Sequence, residues 1–262
     1  MLGFLLAMWR AARNASRYRL KPEDVWDVGL WGLLGGVVGA RLVYVLLNAA
    51  YYRTHPAEVF FIWTGGMTFY GGLAGGILAG VLVCCARGMR TADMADLAAV
   101  SFPIGYALGR VGCFLNGCCY GAVCDLPWAT RFHTAEGLTP PSHPAQLYSA
   151  SAALLMFLVL AAMERRGYGR ERVPGQLMVA FVFFYAVYRF FIEFVREGVT
   201  AQTTSLLGLT QGQVASLLLA ASAAAVWVVR SRAARRREPR SGAGEGAAPR
   251  SDAAAAAPSP LA

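Results

Sequence analysis

Four arginines stand where arginines are costly. Arg41, Arg110, Arg189 and Arg196 lie within or at the ends of long apolar stretches, and a guanidinium at mid-bilayer costs about 2.5–3.5 kcal/mol on insertion scales. The richest stretch is Tyr185-Ala186-Val187-Tyr188-Arg189-Phe190-Phe191-Ile192-Glu193-Phe194-Val195-Arg196. The i, i+4 spacing of Arg189 and Glu193 suits a helical ion pair, and Arg196, one turn further on, falls on roughly the same helical face. An ion pair accounts for one arginine and one glutamate. It leaves Arg196 over, and with it Arg110, which also suits snorkelling to an interface. Guanidinium groups match phosphate oxygens in a bidentate fork. Arginines converging at one membrane surface therefore predict an anion site, and the phosphate available at that depth is a phospholipid headgroup.

The elements that must position these residues are membrane-spanning helices. Of the 262 residues, 56% are hydrophobic and only 15% are charged, against roughly 25% in average soluble chains. Six apolar runs, at 28–48, 67–86, 95–112, 148–163, 176–194 and 213–229, are each 16–21 residues long, the length of a spanning helix with some tilt. They are rich in small residues, with Gly35, Gly36 and Gly39 on one and Gly71, Gly72, Gly75, Gly76 and Gly80 on the next, as close-packed transmembrane helices are. Residues 1–9 are apolar but span only half a bilayer core. They read as the truncated second half of a further span. The predicted fold is an all-α polytopic bundle of about seven spans, the first shortened.

Basic residues set the orientation. The segments between spans alternate between many and few: five basic residues from Arg10 to Lys21, then Arg53 alone, then Arg87 and Arg90. Arg131 alone follows, then Arg165, Arg166, Arg170 and Arg172, then Arg196, and six from Arg230 to Arg240. Read by the positive-inside rule, this places residues 113–147 outside the cytoplasm as a small head segment and the C-terminus inside. The net charge of +9 is thus an orientation signal, and no nucleic-acid partner is expected. Residues 1–230 form the transmembrane body. Residues 231–262 form a basic and then Gly/Ala/Pro/Ser-rich tail with too little apolar bulk to fold.

Cys113, Cys118, Cys119 and Cys124 fall within twelve residues of that outer segment. One or two disulfides are the first expectation there. Free thiols packed against helix ends are the alternative. A zinc site would want Cys-x-x-Cys pairs, which the spacing lacks, so no metal and no cofactor are expected. Cys84 and Cys85 read as small packing residues. Among the histidines, His55 and His133 read as surface residues. Asp93 and Asp96 suit the N-terminus of the helix they open.

The same stretches resemble the prolipoprotein diacylglyceryl transferase family over roughly residues 1–230. Leu33-Leu34-Gly35-Gly36-Val37-Val38-Gly39-Ala40-Arg41-Leu42-Val43-Tyr44 is similar to the family's second span. Trp63-Thr64-Gly65-Gly66-Met67-Thr68-Phe69-Tyr70-Gly71-Gly72-Leu73 resembles its Gly-rich motif. Gly109-Arg110-Val111-Gly112-Cys113-Phe114-Leu115-Asn116-Gly117 resembles its signature, His143-Pro144-Ala145-Gln146-Leu147-Tyr148 its His-Pro motif, and Arg189, Glu193 and Arg196 its Arg-x-x-x-Glu-x-x-Arg. The resemblance implies transfer of a diacylglyceryl group from phosphatidylglycerol to the lipobox cysteine of a prolipoprotein, the first step of bacterial lipoprotein maturation, in the inner membrane with the site facing out. It implies catalytic roles for Arg110, Arg189, Glu193, His143 and Tyr70. It implies substrate contacts for Arg110, Asn116, Gly117, Arg196, Gly71, Gly72, Gln146 and Tyr148. The chain departs from the family's usual residues at Tyr70, where a histidine is replaced by a phenol, a poor base at neutral pH, and at Cys113, Cys118 and Ser149. A paralogous lipid or acyl transferase with another acceptor, and a non-catalytic lipid-binding protein, remain as other readings.

Overall fold

A computed structural model describes residues 1–134, 137–169, 173–196 and 208–237. Its helices are α1 (Leu2–Asn14), α2 (Pro22–Leu47), α3 (Ala49–Thr54), α4 (Phe69–Ala86), α5 (Thr91–Leu115), α6 (Ala145–Arg165), α7 (Gln176–Ile192) and α8 (Gln211–Arg237). Among the described residues six of these, α2, α4, α5, α6, α7 and α8, are long and apolar enough to cross a membrane. At most a third of each spanning window is buried inside the protein. That leaves far more outward apolar surface than a soluble fold tolerates, so the surrounding solvent is lipid. The chain is an all-α polytopic membrane protein.

Residues 1–9, expected to belong to a shortened span, fall in α1, which at 13 residues and 1.5 Å rise covers about 20 Å, lies against α2 and α5 and is not one of the six candidate spans. Its Arg10 was expected among the orienting charges of a loop. Instead Arg10 is drawn into the bundle, where it pairs with Glu164 of α6 and donates to Ser101 Oγ of α5 at 3.0 Å. The buried Tyr18 hydroxyl donates to the same carboxylate at 2.7 Å. Burial, then the neighbouring Glu164 charge, push the Tyr18 phenol well above its ordinary value. An acid on a distant helix, invisible to loop counting, overrides the orientation role.

Helices α2 and α4 pack backbone to backbone. A Cβ on Gly39 would lie 2.4 Å from the Gly71 carbonyl oxygen, and one on Gly75 would lie 2.3 Å from the Gly35 oxygen. Only glycine allows that approach. Thr68 completes the seam, donating from Oγ1 to the Ala40 carbonyl at 3.1 Å.

Asp96 corrects another expectation. It is fully buried on α5, yet it serves α7: its carboxylate accepts from the N–H groups of Gly175 at 2.6 Å and Met178 at 2.9 Å. α7 opens after Gly175 without a side-chain cap of its own, and its orphan donors need an acceptor. Asp93 alone stays with α5, in the first turn and 3.7 Å from Arg90. α8 continues helically through the basic run to Arg237, beyond the boundary expected at 230. The expected tail from 238 to 262 lies outside the described residues.

Candidate anion site at one end of the bundle

α5, α6, α7 and α8 bring the chemistry-bearing residues to one end of the bundle. Arg110, in the last turns of α5, lies over the Tyr106 ring at 4.9 Å. The Tyr106 hydroxyl is 3.3 Å from that of Tyr188 on α7. Tyr188 donates to Ser149 Oγ on α6 at 2.6 Å, and Ser149 donates to the Ala145 carbonyl at 2.7 Å. A chain of three hydroxyls therefore crosses three helices directly beneath Arg110.

Arg189 pairs with Glu193 as its spacing predicted. The Glu193 side chain is only 1% exposed and that of Arg189 22%. Thr210, just before α8, donates to the other carboxylate oxygen at 3.3 Å. Glu193 thus holds one Arg189 nitrogen, and no partner of the other guanidinium donors is seen among the described residues. Tyr185, one turn earlier on α7, lies within electrostatic reach of Arg189, Arg110 and Arg196 together. All three guanidinium groups act on this one phenol.

They do not share a helical stripe, however. α7 ends at Ile192, Glu193–Val195 form a 3-10 turn, and Arg196 is extended, with φ −104° and ψ 127°. The cause is tertiary. The Val195 carbonyl accepts from Ala122 N–H at 2.9 Å, which draws the chain out of the helix and into the irregular segment between α5 and α6. Ala122 in turn accepts from His143 N–H at 2.9 Å, so that segment links the backbones of Val195 and His143.

His143 Nδ1 stands 3.4 Å from the Tyr148 hydroxyl, which also accepts from Trp128 Nε1 at 2.7 Å. Gln146 is fully buried and donates to the Cys118 carbonyl at 2.7 Å. Its Oε1 has no hydrogen-bond partner. This ties α6 to the end of α5, where Asn116 and Gly117 stop the helix. Gly117 has φ +68°, the left-handed conformation that favours glycine after a helix end. Asn116 is exposed, and its hydrogen bond draws the Cys118 thiol below its ordinary value. All six cysteines are free thiols, in place of the expected disulfides.

Tyr70, Gly71 and Gly72 sit apart from this cluster, on α4 against α2. Tyr70 is 80% exposed with its ring edge-on to Phe69, and Gly71 is spent on the seam with Gly39. Arg41 has a structural explanation. Buried on α2, it donates to the carbonyls of Val59 (2.9 Å), Gly65 (2.8 Å), Gly66 (3.1 Å) and Glu58 (2.5 Å). It staples the segment between α3 and α4 and leaves little for an anion.

Sequence reasoning missed Tyr106, Tyr185 and Tyr188. Their signal was present: Tyr106 precedes Arg110 by four residues, and Tyr185 precedes Arg189 by four, the spacing that stacks side chains on one face. These tyrosines also line a small apolar crevice with Phe102, Met156 and Phe181.

Residues 1–229 match the family described as prolipoprotein diacylglyceryl transferase. Several similar curated proteins carry the name phosphatidylglycerol–prolipoprotein diacylglyceryl transferase. The one from Geobacter sulfurreducens is 41% identical over 221 residues, 82% of this chain and 82% of its own. That from Rhodospirillum rubrum is 38% identical over 87% of this chain and 85% of its own. That from Methylibium petroleiphilum is 38% identical over 87% and 88%. The chain belongs to the prolipoprotein diacylglyceryl transferase family.

Proposed function

We infer that this member of the family transfers the diacylglyceryl group of phosphatidylglycerol to the lipobox cysteine thiol of prolipoproteins, in a bacterial inner membrane, with the arginine end facing out and the C-terminus in the cytoplasm. The transfer forms a bond between the thiol sulfur and a glyceryl carbon and breaks that carbon's bond to a phosphate oxygen. Glycerol phosphate departs with the electron pair, and the thiol proton passes to a base or to the leaving phosphate. Two demands follow: charge stabilisation where the phosphate leaves, and a route for one proton.

The convergence of Arg110, Arg189 and Arg196 around Tyr185 is the observation that carries this reading, since it meets the first demand with three guanidinium groups at one end of an apolar bundle. Glu193 is a positioning residue that fixes the Arg189 fork. To Asn116 and Gly117, at the helix end that follows Arg110 on α5, this reading assigns contacts with the glycerol phosphate. For the second demand His143 is favoured over Tyr70. His143 is stitched by backbone to the Arg196 segment and hydrogen-bonded to Tyr148, whereas Tyr70 stands exposed on α4.

The test is transfer of labelled diacylglyceryl from phosphatidylglycerol vesicles to a lipobox peptide by purified protein. Arg110→Ala and His143→Ala should abolish product, and Tyr70→Phe should keep it. Product formed at the wild-type rate by folded Arg110→Ala protein would overturn the cradle. Loss in Tyr70→Phe with full activity in His143→Ala would reverse the proton assignment.

A further inference from the structure

The thiols at the end of α5 are not scattered. The Sγ atoms of Cys113, Cys118 and Cys119 all lie within 4.8 Å of one another, and those of Cys118 and Cys119 are 3.8 Å apart. The helix end explains the gathering. Gly117 N–H bonds to the Phe114 carbonyl at 3.1 Å, and Cys118 N–H bonds back to the Cys113 carbonyl at 3.1 Å. Those two bonds, around a left-handed Gly117, are a Schellman motif. The motif folds the second residue past the helix cap over the third residue before it, and here both positions are cysteine. Cys119 follows with φ +64°, a conformation uncommon for residues other than glycine, and its thiol turns back toward the other two.

We propose that Cys113, Cys118 and Cys119 form a three-thiolate binding site for a soft metal ion of the copper(I) class. Thiolates select soft ions, and three sulfurs without a fourth ligand fit a trigonal site better than tetrahedral zinc. The dimensions agree. With a metal–sulfur distance of about 2.3 Å, a trigonal site has sulfurs about 4.0 Å apart, so the triangle needs to contract by less than about 1 Å.

Disulfide formation fits less well. Adjacent cysteines in a trans peptide have Cα atoms about 3.8 Å apart, short of the usual range of about 4.4–6.8 Å for a disulfide. Any bridge among the three also strands one thiol. The site adjoins the anion cradle but is independent of it.

The experiment uses the full chain, reduced and in detergent, titrated anaerobically with copper(I) against a chromogenic copper(I) chelator. One ion per chain should be withheld from the chelator, with a first shell of three sulfurs at about 2.3 Å by X-ray absorption. Cys113→Ser, Cys118→Ser and Cys119→Ser should each weaken retention by more than the roughly 10–100-fold that outer-shell changes cost. The double variant Cys84→Ser/Cys85→Ser, at the other end of the bundle, should retain the ion as the wild type does. Wild-type retention by any of the three single variants would overturn the site. So would a failure of the reduced wild-type protein to hold copper(I), or a two-sulfur shell. The readout needs no lipid substrate, so its failure and that of the transferase reading are separate.

Discussion

Replacing Arg189 by alanine tests the cradle most directly, provided stability and chemistry are separated. One Arg189 nitrogen is committed to Glu193, and among the described residues a fork of two donors remains for phosphate. Hydrogen bonds to charged groups are worth about 1.5–3 kcal/mol each, so the fork could supply about 3–6 kcal/mol to the departing phosphate. Arg189 is 22% exposed, near headgroup depth, where screening favours the lower figure. At about 1.4 kcal/mol per tenfold, that is a loss on the order of 100-fold in transfer.

The same substitution strands Glu193, whose side chain is 1% exposed, with Thr210 as its partner, and breaking a buried pair costs about 3–5 kcal/mol. Arg189→Ala should therefore both melt earlier and transfer poorly. The double variant Arg189→Ala/Glu193→Gln removes the stranded charge. It should recover most of the thermal stability in detergent while transfer stays about 100-fold down. Recovery of transfer together with stability would refute the phosphate role and leave Arg189 a purely structural residue.

Arg41→Lys replaces five donors in a fixed plane by three on a point charge. At least one of four carbonyls loses its partner, so the unfolding midpoint should drop by the equivalent of about 1.5–3 kcal/mol. Asp96→Asn leaves an amide N–H group facing one of the two α7 donors. A destabilisation of about 1–3 kcal/mol is expected, and hydrogen exchange should quicken first at Gly175 and Met178. Folding favours the neutral Tyr18 phenol, so its contribution is full below the ordinary tyrosine value near 10 and is lost as pH rises toward the raised folded value. Stability measured from pH 8 upward should fall less steeply in Tyr18→Phe than in the wild type; equal slopes would remove Tyr18 from the alkaline transition.

The spans were legible because length and apolarity are properties of contiguous chain, and each predicted run corresponds to a helix. What the runs could not carry is which charge meets which partner. Arg10 counted as an orienting charge and Arg41 as a candidate for an anion, yet the first is paired 154 residues away and the second is spent on carbonyls of a neighbouring segment. Arg189 and Glu193 were legible because an i, i+4 pair needs only a helix. Arg196 was misplaced because the helix stops where Val195 bonds to Ala122, a contact from 73 residues earlier that no periodicity records.

The thiols show the same limit in its sharpest form. Metal spacing rules assume a loop between ligands, so Cys113 and Cys118, five apart, looked unsuited to a shared ion. A Schellman turn makes that spacing a contact, and its one local sign is Gly117 lying between them. A glycine directly before a second cysteine, just past a helix bearing the first, is therefore a pattern that sequence reading should weigh beside Cys-x-x-Cys.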